Sequence, residues 1–167
     1  MVAMSAEFCP IAPTDYPALL ALNNAHAVET NLLTREKFEA MVDAAFFTRT
    51  KVGATALLIA FDQDAAYASA NFHWFRERLP RFIYLDRIVV AKEQRGKGIA
   101  RALYGELFDA ARAAGHDIVV LEVNLVPPNP VSDAFHAALG FSEFGRGSPY
   151  PGKEVRYLTK ALTPGPA

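Results

Sequence analysis

Leu85-Asp-Arg-Ile-Val-Val-Ala-Lys-Glu-Gln-Arg-Gly-Lys-Gly-Ile-Ala-Arg101 is the stretch whose reading decides the fold. Ile88, Val89 and Val90 are β-branched and predict a strand. Arg95-Gly96-Lys97-Gly98-Ile99-Ala100 follows at once. From Ile99 the apolar positions Ala102, Leu103, Leu107, Ala110, Ala111 and Ala114 keep helical spacing, so a helix starts near Gly98. Gly115 can take the left-handed conformation that ends it. A helix N-terminus exposes unpaired N–H groups and a partial positive charge, and small residues let a phosphate come close. Strand, glycine loop and helix thus predict an anion site for a diphosphate group. An ordinary strand–turn–helix is the competing reading.

Which diphosphate ligand fits is narrowed by what the loop lacks. A P-loop needs Ser or Thr after Gly-Lys, and Gly98 stands there. A dinucleotide fingerprint needs a third glycine, and that slot holds Arg101. The loop instead resembles motif A of the GNAT N-acetyltransferases, Arg/Gln-x-x-Gly-x-Gly/Ala, with Arg95, Gly98 and Ala100 in the three slots. Downstream, Asn129-x-x-Ser132-x-x-Phe135-His136-x-x-x-Gly140-Phe141 resembles motif B of the same family. The family's common tyrosine is His136 here. Glu122-Val123-Asn124-x-x-Pro127-Pro128-Asn129-Pro130 is similar to a small bacterial branch of predicted acetyltransferases.

The rest of the chain reads as one globular α/β domain over residues 1–167. Hydrophobic residues make up 51% and charged residues 21%, which excludes a disordered chain. A net charge of −1 implies no nucleic-acid or anionic-membrane partner. No apolar run reaches the roughly 18 residues of a membrane span, and no Lys or Arg precedes Arg35 to make a signal peptide. The single cysteine, Cys9, excludes an intrachain disulfide. These features predict a cytoplasmic protein.

In order, the chain predicts a strand at Phe8–Pro13, then helices capped by Thr14 and Thr34. Val52–Phe61 and Tyr67–Phe75 read as an antiparallel hairpin about Asp62-Gln63-Asp64. The central strand and helix follow, then a strand at Ile118–Leu125 that makes a right-handed crossover and a parallel pair. Asn129 caps a short helix with Pro130 at its first position. Phe141–Phe144 and Val155–Leu162 close the sheet. The order β-α-α-β-β-β-α-β-α-β-β is similar to the GNAT fold, a mixed, mostly antiparallel sheet with a central splayed parallel pair.

That resemblance implies transfer of an acetyl group from acetyl-CoA to an amine, with no metal. It admits a homodimer as assembly. By resemblance, the backbone of Ile88, Val89 and Val90 holds the pantetheine arm, and amides of Arg95, Gly96, Lys97, Gly98, Ile99, Ala100 and Arg101 hold the pyrophosphate. Asn124, Asn129, Ser132 and Phe135 complete the cofactor side. Ile88-Val89-Val90 breaks strict alternation, as a bulge would. Along the motif B helix, Val131, Ala134, Phe135, Ala138 and Leu139 are the expected buried stripe, with His136 on its flank facing the cleft. There it is a candidate acid for the departing thiolate. Glu122, a carboxylate inside an apolar strand, is the leading base, and Asp86 the second. His73, Trp74 and Tyr84 are candidates for the acceptor side, with packing as the competing reading. Asn24 and Glu29 are candidates for binding the acceptor amine. A non-catalytic acyl-CoA sensor that kept motif A is the rival function. A diphosphate binder unrelated to CoA rests only on the loop.

Overall fold

The computed structural model describes residues 7–26 and 31–163. The described residues form one seven-stranded sheet in the order β1-β2-β3-β4-β5-β7-β6. Its strands are β1 (Phe8–Cys9), β2 (Phe47–Lys51), β3 (Ala56–Asp62), β4 (Ile83–Val90), β5 (Ile118–Val126), β6 (Ser142–Tyr150) and β7 (Lys153–Ala161). The helices are α1 (Tyr16–Ala25), α2 (Arg35–Ala44), α3 (Ala70–Arg76), α4 (Ile99–Ala113) and α5 (Pro130–Ala138). β4 and β5 are the parallel pair, and the other neighbours run antiparallel.

Period-two alternation divides the core into two layers. On β3, Ala56, Leu58 and Ala60 join the cluster under α4, while Leu57, Ile59 and Phe61 join the cluster under α1, α2 and α3. Helix α4 buries Ile99, Leu103, Tyr104, Leu107, Phe108 and Ala111, one stripe of a 3.6-residue period. Gly98 caps it at φ 77°, a conformation that favours glycine, and Gly115 follows its end at φ 82°. The side chains of Thr34 and Asn129 accept from Lys37 N and Ser132 N and cap α2 and α5 as expected. Thr14 instead lies in a 3₁₀ turn, Pro13–Asp15, ahead of α1.

Three expected elements are corrected. Tyr67–Phe75 is not a strand, since residues 70–76 form α3. The Ser69 hydroxyl accepts from Phe72 N at 3.3 Å, and Asn71, Phe72 and Phe75 fall on one buried helical face. The hairpin is therefore β2–β3, and the expected strand start at Val52 is its turn, with Gly53 at φ 90° and Ala54 at φ 55°. The bulge lies not at Ile88–Val90, which alternates between the two core layers, but at Asp86. Ile59 pairs with Arg87 and Ala60 with Leu85, leaving Asp86 as the extra residue. Third, α5 buries a different face. Val131 is 80% exposed and Ala134 and Ala138 are exposed, while Ser132, Phe135, His136 and Leu139 turn inward. The reason is a polar partner for His136, described below.

An aromatic stack ties α3 to β7. Trp74 lies on Tyr157 with ring centroids 3.8 Å apart and planes 13° apart. The indole also covers Gly145 of β6, where a Cβ would stand 2.6 Å from the ring. Gly145→Ala is expected to lower stability by about 1–3 kcal/mol through this overpacking, read as a shift in the urea midpoint. An unchanged midpoint would show that the ring moves aside freely.

Candidate active site

The site begins where the parallel pair comes apart. β4 and β5 pair only at Ile83–Val119 and Tyr84–Val120. Beyond that point β4 meets its bulge and loses its β5 ladder partner. A polar cavity of about 250 Å³ opens in the gap, lined by Leu85–Ile88 of β4, Leu121–Asn124 of β5, and Tyr104, Asn129, Ser132, His136 and Lys153. A second cavity of about 760 Å³ adjoins it. Its lining brings together Ile88, Val89, Val90, Arg95, Gly96, Gly98, Ile99, Ala100, Arg101, Asn129, Ser132 and Phe135. Of the residues expected on the cofactor side, Asn124 belongs to the polar cavity. Lys97 lies outside both, its ammonium 3.4 Å from Gln94 Oε1.

The bulge sends two successive side chains to the α1/α3 face. Asp86 accepts from Arg87 Nε at 2.7 Å and from the Tyr67 hydroxyl. Arg87 Nη1 donates to Asn23 Oδ1 of α1 at 2.8 Å. Both charged side chains are more than nine-tenths buried, so each depends on the other. Asp86 is thus held in a fixed ion pair.

Glu122 sits in a different network. The Tyr84 hydroxyl donates to it, 2.8 Å from Oε2 and 3.0 Å from Oε1, and Asn71 Nδ2 donates to Oε1 at 3.0 Å. Tyr157 in turn donates to Asn71 Oδ1 at 2.9 Å. Burial first, then the nearby charge of Asp86, pushes the Glu122 carboxyl up to about 7. The Tyr84 bond and the Lys153 charge pull the other way. Burial and the adjacent carboxylates push the Tyr84 phenol well up, so it stays a donor.

His136 is buried and occupied at both nitrogens. Nδ1 lies 2.7 Å from the Ser132 carbonyl, which can only accept, so Nδ1 carries the hydrogen. Nε2 lies 2.6 Å from the Tyr104 hydroxyl and accepts from it. Burial pushes the imidazole pKa down, keeping the ring neutral. This pairing is what allows a polar ring on the inner face of α5. Tyr104 lines both cavities.

Of the expected acceptor residues, Tyr84 orients Glu122. Trp74 packs on Tyr157, and His73 is exposed on α3 and lines neither cavity. Asn24 holds the chain entering α2: its Oδ1 accepts from Leu33 N and its Nδ2 donates to Leu33 O. Glu29 lies outside the described residues. The sequence reading missed Tyr104, Arg87, Asn71 and Lys153. Tyr104 carried a signal, since it falls on the buried stripe of α4 one residue after Leu103. Among the described residues no group of three or more His, Cys, Asp or Glu side chains is gathered to hold a metal ion.

Residues 22–141 match the model of the Acetyltransferase (GNAT) family. The chain belongs to that family. It is 30% identical over 152 residues to the L-methionine sulfoximine/L-methionine sulfone acetyltransferase of Pseudomonas aeruginosa, covering 86% of this chain and 84% of that one. It is 33% identical over 66 residues to the L-2,4-diaminobutyric acid acetyltransferase of Nocardia farcinica, which is 40% of this chain and 33% of that enzyme. The chain thus spans about a third of that relative's length. In fold it is similar to Arabidopsis thaliana NAA60 in complex with acetyl-CoA, with a TM-score of 0.75 over 93% of this chain and 97% of that one at 14% identity. The co-substrate of a GNAT acetyltransferase is acetyl-CoA.

Tyr84→Phe removes a hydrogen bond that favours ionised Glu122. The carboxyl is then expected to titrate above the parent's value of about 7, followed by carbon-13 NMR of the carboxylate. A titration that stays in place would mean that Tyr84 does not tune this carboxyl.

Proposed function

We propose that this chain, acting as a single domain over residues 1–167, transfers the acetyl group of acetyl-CoA directly to the amine of a small amino-acid-type acceptor. The observation that carries this reading is the junction of the two cavities, with a glycine-loop wall on one side and Glu122 on the other. The names of the two curated relatives support the acceptor class, since each names amino acids. The exposed thiol of Cys9 and the bacterial origin of these relatives favour a bacterial cytoplasm.

In this reading the larger cavity takes CoA. Amides at the start of α4 cradle the pyrophosphate, helped by the helix dipole. β4 beyond Tyr84, free of a β5 partner, offers backbone groups to the pantetheine arm and an N–H to the oxyanion. An alkylammonium has a pKa of about 10 and cannot attack while protonated. Glu122, with its value near 7, takes that proton, directly or through water. Asp86 is not the base of this scheme, because Arg87 and Tyr67 occupy its carboxylate. The neutral nitrogen attacks the thioester carbonyl. The tetrahedral adduct passes its second nitrogen proton to water and expels the thiolate. The thiolate takes a proton from water, so one ammonium and one thioester give one amide, one thiol and one released proton. Tyr104 and His136 shape the wall beside the leaving sulfur rather than supplying its proton, because the Tyr104 hydrogen goes to His136 Nε2, the Nδ1 hydrogen goes to the Ser132 carbonyl, and burial pushes the Tyr104 phenol up.

A sensor that only binds acyl-CoA has no use for a carboxyl tuned to about 7 at the thioester end of the cleft. That favours the enzyme.

Two measurements test the scheme. Gly98→Asp puts an anion beside the phosphates and strains a residue at φ 77°, so calorimetry should find CoA affinity at least about tenfold lower in the folded variant. Normal affinity would remove the cradle from this loop. For Glu122 the sign is set by ionisation: the carboxylate is the base, so kcat/KM should rise with pH through about 7. Glu122→Gln should lose that limb and about 10²-fold in rate near neutrality, with a smaller deficit near pH 10, where the amine is already neutral. An unchanged pH profile would leave proton removal to water.

A further inference from the structure

The polar cavity holds one cation that the transfer scheme does not use. Lys153 is half-buried and lines the same cavity as Glu122. Among the described residues its ammonium makes no hydrogen bond and no ion pair. Its backbone is set by a tight turn. Tyr150 and Lys153 pair across a two-residue turn, Pro151-Gly152, with Gly152 at φ 77°. Proline followed by a glycine at that φ fits a type II turn.

The other charges of the cavity cancel. Asp86 and Arg87 form an ion pair at 2.7 Å. What remains is one carboxyl, Glu122, and one ammonium, Lys153, which act on each other through space but share no hydrogen bond or ion pair. These complement a small molecule that carries an amine and a carboxylate of its own. The cavity, at about 250 Å³, holds roughly eight waters at about 30 Å³ each, a space for a small acceptor.

We propose that Lys153 is the specificity-determining residue of the acceptor site, binding the free carboxylate of an amino-acid acceptor while its amine is presented at Glu122. This rests on the acetyl-transfer reading above and adds a requirement to it. The acceptor must carry a free carboxylate near its amine, so the α-amine of a peptide, whose carboxyl is an amide, is a poor substrate.

The test compares L-methionine sulfone and L-2,4-diaminobutyrate with their carboxamides, using thiol release with acetyl-CoA. The parent should prefer each acid over its amide by about tenfold or more in kcat/KM. Assayed at about pH 9, above the Glu122 titration that loss of the Lys153 charge would move up, Lys153→Met should raise KM for the acids by about 10- to 100-fold, the scale of one charge-assisted hydrogen bond, and leave the amides and CoA affinity unchanged. Lys153→Arg should keep most of the preference. A parent that treats acid and amide alike, or prefers the amide or a tripeptide, overturns the proposal while acetyl transfer stands. So does a Lys153→Met variant that loses acids and amides equally. If no amine, including propylamine, releases thiol, the transfer reading itself fails. Calorimetry of the two acids against CoA-loaded parent and Lys153→Met then decides separately. Binding lost in the variant keeps the carboxylate site, and no binding to either protein removes it.

Discussion

The whole arrangement depends on one break in hydrogen bonding. Two parallel strands that start side by side stop pairing after two residues each, because β4 carries an extra residue at Asp86. A buried strand edge with unpaired backbone groups has a cost. Here that edge faces cavities rather than apolar side chains. The bulge places Asp86 and Arg87 toward one layer, where α1, Tyr67 and the ion pair lock it.

Around the gap the two core layers do different work. The layer under α4 is aliphatic and aromatic, and it anchors the helix whose first turn forms the glycine-loop wall. The layer under α1, α2 and α3 is rich in aromatic rings, and three of its tyrosines reach polar partners. Tyr67 serves Asp86, Tyr84 serves Glu122, and Tyr157 serves Asn71. Each ring is apolar at its body and polar at its tip, which is how a carboxylate comes to be held deep in an apolar layer.

Much of this was legible in the chain. Local signals were strong where chemistry and backbone demand coincide: the β-branched run, the positive-φ glycine before α4, and the Asn129-Pro130 cap. The family and the crossover followed from them. The errors came where tertiary partners decide. Tyr-Ala-Ser-Ala-Asn-Phe-His-Trp-Phe alternates enough to suggest a strand, yet the Ser69 cap and the Phe72–Phe75 spacing make it helical. Counting apolar residues on α5 gave the wrong face, because His136 is buried by a hydrogen bond from a residue 32 positions away. Lys153 was invisible for the same reason: only the register of β7 brings it to the cavity that holds Glu122. Glu122 stood out from the start, since a carboxylate between Leu121 and Val123 needs an explanation that packing alone does not give.

The two cavities share five wall residues, Ile88, Tyr104, Asn129, Ser132 and His136. They are two rooms with a common partition. Cys9, the chain's one thiol, is exposed on the first strand at the far side of the sheet from β5. A donor in one room and an acceptor in the other can touch only while both are present. Under the direct transfer proposed above, catalysis would need a ternary complex, in which the first occupant completes the wall that the second one meets.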